Sequence, residues 1–261
     1  MADPTPLSLA FMDSGAGKPL VILHGLFGSK RNWGAIAKAL SAHRRVLCLD
    51  LRNHGDSPWD AAMTYPALAA DVAHFIGTHD LGAVDVIGHS MGGKAAMTLA
   101  LSHPELVDRL TVVDIAPAPS PGTFIHYVEA LRAMDLSRIA SRKDADAQLA
   151  PAEPNPGIRA FLLQNLESGD RGFKWRVNLD ALNAAMKVLL DFAPPSPGTN
   201  FPGPALFLAG GASDYIGPQH HAEIGRLFPA ARVEVLPGVG HWAHAEAPEL
   251  FLNHVKDFLG A

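Results

Sequence analysis

A serine bracketed by two glycines has the clearest chemical purpose in this chain. Residues 84–100 read VDVIGHSMGGKAAMTLA, and residues 88–92 form a complete G-x-S-x-G motif. Such a motif presents a serine hydroxyl on a sharp turn between a strand and a helix. The apolar run before Ser90 and the helix-like run after it supply that context. The stretch therefore predicts a nucleophilic serine at position 90.

The same stretch also comes close to a phosphate-binding loop. Gly88 is followed after four residues by Gly93 and Lys94, but the next residue is Ala95. A phosphate-binding loop needs serine or threonine there to hold magnesium, so we expect no nucleotide site and no nucleotide cofactor. We expect Lys94 to pair with an acid or to remain solvated, and we assign it no catalytic role.

His241 is the candidate base for this serine. A serine hydroxyl is a weak nucleophile and needs a base, a group that orients the base, and hydrogen-bond donors for the oxyanion. His241 lies in LPGVGHWAHAEAP, after the last predicted strand, where the late histidine of a serine, acid, histidine order belongs. His241 and His244 also form an H-x-x-H pair, but no carboxylate-bearing metal motif accompanies them, so we expect no metal site.

The segment VILHGLFGS supplies the second half of an oxyanion-binding site. Its apolar strand ends at His24 and Gly25 and turns into a loop whose backbone can face the serine. In a site of this kind one donor is the amide after the nucleophile and the other comes from this loop. We therefore assign the two donors to the amides of Met91 and Leu26.

The elements that must position these residues follow an alternating pattern. Short β-rich apolar runs alternate with longer helical patterns, which predicts an α/β protein with a mostly parallel sheet flanked by helices on both faces. Strands are expected at 7–13, 19–24, 45–50, 83–88, 109–115, 204–209 and 231–236. Helices are expected near 33–42, 64–79, 91–102, 218–228 and 248–259.

The alternation breaks between residues 117 and 203. Proline-rich stretches open and close this segment, and between them lie helical patterns such as FIHYVEALRAM and FKWRVNLDALNAAMKVLLDF. We predict an α/β core formed by residues 1–116 and 204–261, with residues 117–203 inserted as a helical cap, or lid. Such a cap would lie over the carboxyl edge of the sheet, where α/β folds bind ligands.

Composition narrows the function classes further. The chain has 261 residues, 21 basic and 26 acidic residues and a net charge of −5, without a basic cluster, so we expect no nucleic-acid partner. The single cysteine, Cys48, lies in an apolar run and reads as a buried structural thiol. Without a signal-like N-terminus or an apolar run long enough to span a membrane, we expect a soluble, cytoplasmic protein. Its oligomeric state stays open.

Seven motifs in order carry a resemblance to a known family. HGLFGS, DLRNHGDSP, GHSMGGK, VVDIAP, WRVNLDAL, LFLAGG and GHWAHAE stand in the order seen in α/β-hydrolase-fold serine esterases. Within that family the chain most resembles the group formed by abhydrolase domain-containing protein 11 and its bacterial esterase relatives. The resemblance covers nearly the whole chain. It implies a cofactor-free hydrolase of carboxylic esters or acyl thioesters with a helical cap, Ser90 as nucleophile and His241 as base.

The acid that orients His241 has three candidates. Asp114 ends the strand LTVVDIA, Asp214 lies in AGGASDYI, and Asp180 lies in WRVNLDAL. The commoner α/β-hydrolase pattern favours Asp214, after the strand that follows the cap. In the relatives that the chain resembles, however, a GG-x-S signature occupies that loop, which places Ser213 at the usual acid position. We favour Asp114, because an aspartate at the carboxyl end of the preceding strand can reach the same histidine.

These assignments predict a carboxylesterase-type serine hydrolase with an acyl-enzyme on Ser90. Two alternatives are a cofactor-free perhydrolase or haloperoxidase-type activity on the same scaffold, and a ligand-binding receptor that has lost turnover. We expect a small acyl ester or thioester as substrate and an apolar acyl pocket. Candidate lining residues of that pocket are Phe27, Phe124, Tyr127 and Trp175.

Overall fold

The central feature is a seven-stranded sheet in the order β1-β3-β2-β4-β5-β8-β9. The computed structural model describes residues 5–120, 124–170, 172–193, 196 and 198–260. Strand β1 is antiparallel to β3, and the other neighbouring pairs are parallel, as the alternating pattern predicted. The strands are β1 (Phe11–Ser14), β2 (Pro19–Leu23), β3 (Arg45–Leu49), β4 (Val84–His89), β5 (Val107–Val113), β8 (Ala205–Gly210) and β9 (Ala231–Leu236).

Helices cover both faces of this sheet because its strands are apolar on both faces. In β2, Leu20 and Ile22 pack into one core, whereas Val21 and Leu23 pack into the other. This two-residue period is that of a strand buried on both sides. The helices outside the insertion are α1 (Gly34–Leu40), α2 (Tyr65–Thr78), α3 (Met91–Ser102), α8 (His221–Leu227), α9 (Ala243–Glu246) and α10 (Pro248–Leu259).

The segment between β5 and β8 carries its own elements. These are α4 (Ile125–Arg132), α5 (Arg142–Leu149), α6 (Pro156–Leu163), β6 (Leu166–Gly169), β7 (Gly172–Trp175) and α7 (Leu179–Leu190). Strands β6 and β7 form an antiparallel hairpin that the sequence patterns did not predict.

The helical pattern assigned to residues 173–192 was wrong in its first part. Residues 173–175 belong to β7, and α7 begins only at Leu179. Asn178 sets this start, because its side chain accepts a hydrogen bond from the Ala181 amide at 3.2 Å and caps the helix. The Asn178 amide in turn donates to the carbonyl oxygen of Asn53 in the core. A cap and a long-range contact thus override the local helical periodicity.

Two smaller features bear on the sequence predictions. Cys48 is buried in β3, and burial raises the pKa of its thiol to about 12, as expected of a structural thiol. Within the described ranges, no helix combines the length and apolarity needed to cross a membrane.

Candidate active site

Ser90 lies on the turn between β4 and α3, in a strained backbone conformation. Its φ is 52° and its ψ is −118°, and a non-glycine residue with positive φ is held there only by its surroundings. The turn is so tight that a Cβ at Gly92 would come within 2.5 Å of the carbonyl oxygens of Leu23 and His24. Glycine at this position therefore allows the turn to pack against the end of β2. This is the geometry that the G-x-S-x-G motif predicted.

A line of hydrogen bonds connects Ser90 with His241 and Asp114. The Nε2 of His241 lies 3.1 Å from the Ser90 hydroxyl oxygen, and its Nδ1 lies 2.8 Å from Oδ2 of Asp114. An ionised carboxylate only accepts hydrogen bonds, so the Nδ1–H of His241 donates to Asp114. The Nε2 lone pair is then free to accept the proton of the serine hydroxyl. The three residues come from the ends of β4 and β5 and from the loop after β9.

Asp114 is held in place by further donors. It is fully buried at the carboxyl end of β5, with a φ of 47°. The amide of Gly210 donates to Oδ1 at 2.8 Å, and the hydroxyl of Ser213 donates to Oδ2 beside His241. Ser213 was predicted to occupy the usual acid position, and it contacts the carboxylate from there. These bonds fix the orientation of the carboxylate toward the histidine.

The other two candidate acids lie elsewhere. Asp214 makes no hydrogen bond with His241 and lines a surface cavity with Gln219 and His220. Asp180 accepts a hydrogen bond from Arg132 at 2.9 Å, on the exposed side of α4 and α7. The structure therefore brings Asp114, and neither alternative, against His241.

Two contacts of His241 were not foreseen from the sequence. The Tyr215 ring stacks on the imidazole, with ring centres 4.1 Å apart and an angle of 24°. The Nε2–H of His89 donates to the main-chain oxygen of His241 at 2.8 Å. His89 directly precedes Ser90 in the motif. A histidine at that position is the one feature of the sequence that could have suggested this contact. Together the two side chains restrain both the ring and the backbone of His241.

The two predicted oxyanion donors lie beside Ser90. Leu26 and Met91 line the same cavity as Ser90. A Cβ at Gly25 would lie 3.3 Å from the Ser90 Cβ, so the backbone of this loop passes close to the nucleophile. The amide of Phe27 already donates to Nε2 of His54 at 3.3 Å. In the described part of the chain no acceptor is bound to the amides of Leu26 and Met91, which leaves both available for an oxyanion.

Of the four aromatic residues predicted to line the acyl pocket, Phe124 alone lines the cavity that contains Ser90. Phe27 is fully buried in the core. The Tyr127 hydroxyl donates to Oε2 of Glu153 at 2.7 Å. Trp175 lines a separate surface pocket. The structure therefore does not place Phe27, Tyr127 or Trp175 at this pocket. Phe27 packs in the core, and Tyr127 and Trp175 make contacts elsewhere.

Lys94 departs from its predicted environment. The sequence suggested an acid partner or solvent, but the side chain is only 1% exposed and lines the Ser90 cavity. Burial lowers the pKa of its ammonium group to about 8, an effect that the nearby charge of Asp191 partly opposes. The environment was not predictable from the spacing, because it depends on where the insertion packs.

Four buried histidines surround this site, and burial disfavours the charged form of each. Burial lowers the pKa of His24, of His54 to about 3, of His89 to well below its usual value, and of His244 to about 4. For the last three, the charge of a neighbouring histidine adds to the effect of burial. These histidines therefore bind protons near pH 6.5 in the unfolded chain, but only at lower pH in the native state.

Stability is expected to fall as the pH drops from about 6.5 toward 4, because native pKa values below the unfolded ones make protonation favour unfolding. Each such histidine contributes up to about 1.4 kcal/mol per pH unit to the slope. Urea unfolding midpoints at about pH 7.5, 6 and 5 measure it. His244→Gln should flatten the slope, and exposed His221→Gln should leave it unchanged. A midpoint independent of pH over this range would contradict the assignment.

The sheet order, the strained serine between β4 and α3, and the insertion after β5 define the α/β-hydrolase class. The model of the Alpha/beta hydrolase family matches residues 20–254, and the chain belongs to this family. The predicted fold class is therefore confirmed.

Curated relatives and a solved structure give the same assignment. The chain is 48% identical over 251 residues to the sn-1-specific diacylglycerol lipase ABHD11 of Xenopus laevis, covering 93% of this chain and 80% of that protein. It is 35% identical over 246 residues to esterase YbfF of Escherichia coli strain K12, covering 92% of each. A solved marine microorganism esterase superposes with a TM-score of 0.93 at 38% identity, covering 97% of this chain and 99% of that one. The predicted resemblance is confirmed.

Proposed function

We propose that this ester-hydrolysing α/β hydrolase is a serine hydrolase of carboxylic esters that forms an acyl-enzyme on Ser90. The observation that carries the proposal is the hydrogen-bonded line from the Ser90 hydroxyl through His241 to Asp114. A serine becomes a competent nucleophile when a base accepts its proton and a carboxylate stabilises the resulting imidazolium. Each of those requirements is met by a residue within hydrogen-bond distance of the next.

The first half of the reaction transfers the acyl group to Ser90. As the hydroxyl oxygen attacks the acyl carbon, Nε2 of His241 takes its proton, and the amides of Leu26 and Met91 bind the developing oxyanion. Asp114 stabilises the imidazolium through the Nδ1–H bond. The imidazolium then gives its proton to the leaving alcohol, the ester C–O bond breaks, and the acyl group stays on Ser90.

The second half releases the acyl group to water. His241, neutral again, takes a proton from a water molecule as that water attacks the acyl carbon, and the same amides bind the oxyanion. Collapse of this intermediate returns the proton from His241 to the Ser90 oxygen and frees the carboxylic acid. An acyl thioester offers the same electrophilic carbon, and we include thioesters in the proposal.

We assign the role of a helical cap to residues 117–203. Five residues of this segment line the cavity of Ser90, and they are Ser120, Phe124, Met186, Leu189 and Leu190. Four of the five side chains are apolar and the fifth is an uncharged serine, which fits an acyl chain better than a charged group. The names of the relatives, a diacylglycerol lipase and esterases, support an acyl ester as the substrate class.

Covalent labelling by a fluorophosphonate tests this proposal. The reagent should modify the native protein at one site, which peptide mapping should place at Ser90, and should abolish p-nitrophenyl butyrate hydrolysis in parallel. Heat-denatured protein serves as the control, because its serine lacks the activating histidine. A native protein that binds esters without reacting would instead be a non-catalytic receptor of this fold.

Hydrolysis is expected to survive exhaustive dialysis against EDTA. In the proposed mechanism Ser90, His241, Asp114 and two backbone amides handle every proton and charge. Within the ranges that the structure describes, no three or more His, Cys, Asp or Glu side chains cluster so as to hold a metal. Initial rates with p-nitrophenyl butyrate before and after dialysis measure the effect. Activity that disappears and returns only with zinc or magnesium would overturn this expectation.

A further inference from the structure

A buried lysine lies in the wall of the Ser90 cavity and holds the end of a cap helix. Lys94 stands one helical turn after Ser90 on α3. Its Nζ donates to the main-chain oxygens of Leu190 and Asp191, each at 3.0 Å. Within the described ranges no carboxylate forms an ion pair with Lys94, although the side chain is 1% exposed. The partners of this buried charge are therefore carbonyl groups of the cap.

Tyr65 completes the same attachment from α2. Its hydroxyl donates to the main-chain oxygen of Leu189 at 2.6 Å, and its ring centre lies 5.8 Å from Nζ of Lys94. Three successive carbonyls at the end of α7 thus bind two core side chains. The last carbonyls of a helix lack partners inside the helix and carry the negative end of its dipole, so a cation and a hydroxyl stabilise them. We call Lys94 and Tyr65 the α7 anchor.

The helix end that this anchor holds is also a wall of the Ser90 cavity. Met186, Leu189 and Leu190 line that cavity together with Ser90. The cavity volume is about 30 Å³, which is room for about two water molecules. An acyl chain that grows beyond a few carbons therefore needs more room than this cavity offers, and movement of the end of α7 away from the core would supply that room. Such a movement separates the α7 carbonyls from the anchor.

We propose that the α7 anchor is a specificity determinant that limits hydrolysis to esters of short-chain acyl groups. The inference rests on the proposed function, because it assumes that the acyl group occupies the cavity beside Ser90. A short chain fits while α7 stays attached. A long chain fits only when Lys94 loses its carbonyl partners, and an unpaired buried ammonium is strongly unfavourable. The anchor therefore raises the barrier for long-chain esters more than for short-chain esters.

The test compares kcat/KM for p-nitrophenyl butyrate and p-nitrophenyl decanoate in four proteins. These are the wild type, Lys94→Met, Tyr65→Phe and the control Lys187→Met, which removes an exposed lysine from α7. The wild type should favour butyrate by about tenfold or more. Lys94→Met should raise the ratio of decanoate to butyrate by about tenfold, because its bonds are charge-assisted, and Tyr65→Phe by about fivefold. Lys187→Met should keep the wild-type ratio.

The ratio separates a specificity determinant from a structural residue. Equal loss on both esters in Lys94→Met and Tyr65→Phe would show that the two residues only support the fold, and would overturn the inference. A wild type that hydrolyses decanoate as fast as butyrate would overturn it too. If Lys94→Met does not fold, Tyr65→Phe decides alone, since it keeps the ring and removes one hydroxyl. Failure of the proposed function looks different, because the wild type would then cleave neither ester nor react with a fluorophosphonate.

Discussion

Ser90→Ala is expected to lower the turnover of p-nitrophenyl butyrate by roughly 10⁴-fold or more while leaving the protein folded. Alanine keeps the Cβ of serine, so the strained turn between β4 and α3 keeps its shape. The loss is chemical, because His241 then has no hydroxyl proton to accept and no acyl-enzyme can form. The oxyanion donors and the cavity remain, and they support only the small residual rate that binding and charge stabilisation provide.

Initial rates at matched protein concentrations measure this effect, and thermal unfolding confirms that the variant is folded. Ser102→Ala is the matched control, since Ser102 is an exposed serine on the same helix as the nucleophile turn. The control should keep its turnover and its fluorophosphonate labelling, and Ser90→Ala should lose both. A Ser90→Ala protein that retains more than a few percent of wild-type turnover would show that another group is the nucleophile.

The position of Ser90 could be read from the sequence because it depends on local sterics. Glycine at 92 is required by carbonyl oxygens only 2.5 Å from the place of its missing Cβ, and such a requirement leaves a motif in the sequence. The alternation of strands and helices could also be predicted, because the apolar pattern of each element lies within a short stretch of the chain. The meeting of His241 with Asp114 across 127 residues follows from the parallel sheet, which brings the carboxyl ends of its strands to one edge.

The lining of the cavity could not be read in this way, because it depends on how the insertion packs. Phe27 and Tyr127 are aromatic and close in sequence to site residues. The Phe27 ring is nevertheless buried in the core, and the Tyr127 hydroxyl donates to Glu153. Lys94 was expected at the surface or beside an acid and instead binds carbonyl groups of α7. No spacing rule along the chain indicates which carbonyls a distant helix will present.

The choice between two aspartates produces the second large effect. Asp114→Asn is expected to lower turnover by about 10⁴-fold, whereas Asp214→Asn keeps most of the activity. Asp114 accepts the Nδ1–H of His241 and so leaves Nε2 free to accept the proton of Ser90. An asparagine amide placed there can donate to Nδ1 and stabilise the opposite tautomer, in which Nε2 carries the hydrogen. That tautomer cannot act as the base.

Asp214→Asn is a matched control, because it makes the same chemical change in the loop where α/β hydrolases more often carry the acid. Its side chain makes no hydrogen bond with His241, so its charge is not needed to orient the imidazole. Rates with p-nitrophenyl butyrate, compared at several pH values, distinguish the two variants. The reverse ranking would assign the acid to Asp214 and would require the loop after β8 to rearrange during catalysis. Equal partial losses would mean that both carboxylates stabilise the imidazolium, one by the direct 2.8 Å bond and the other through space.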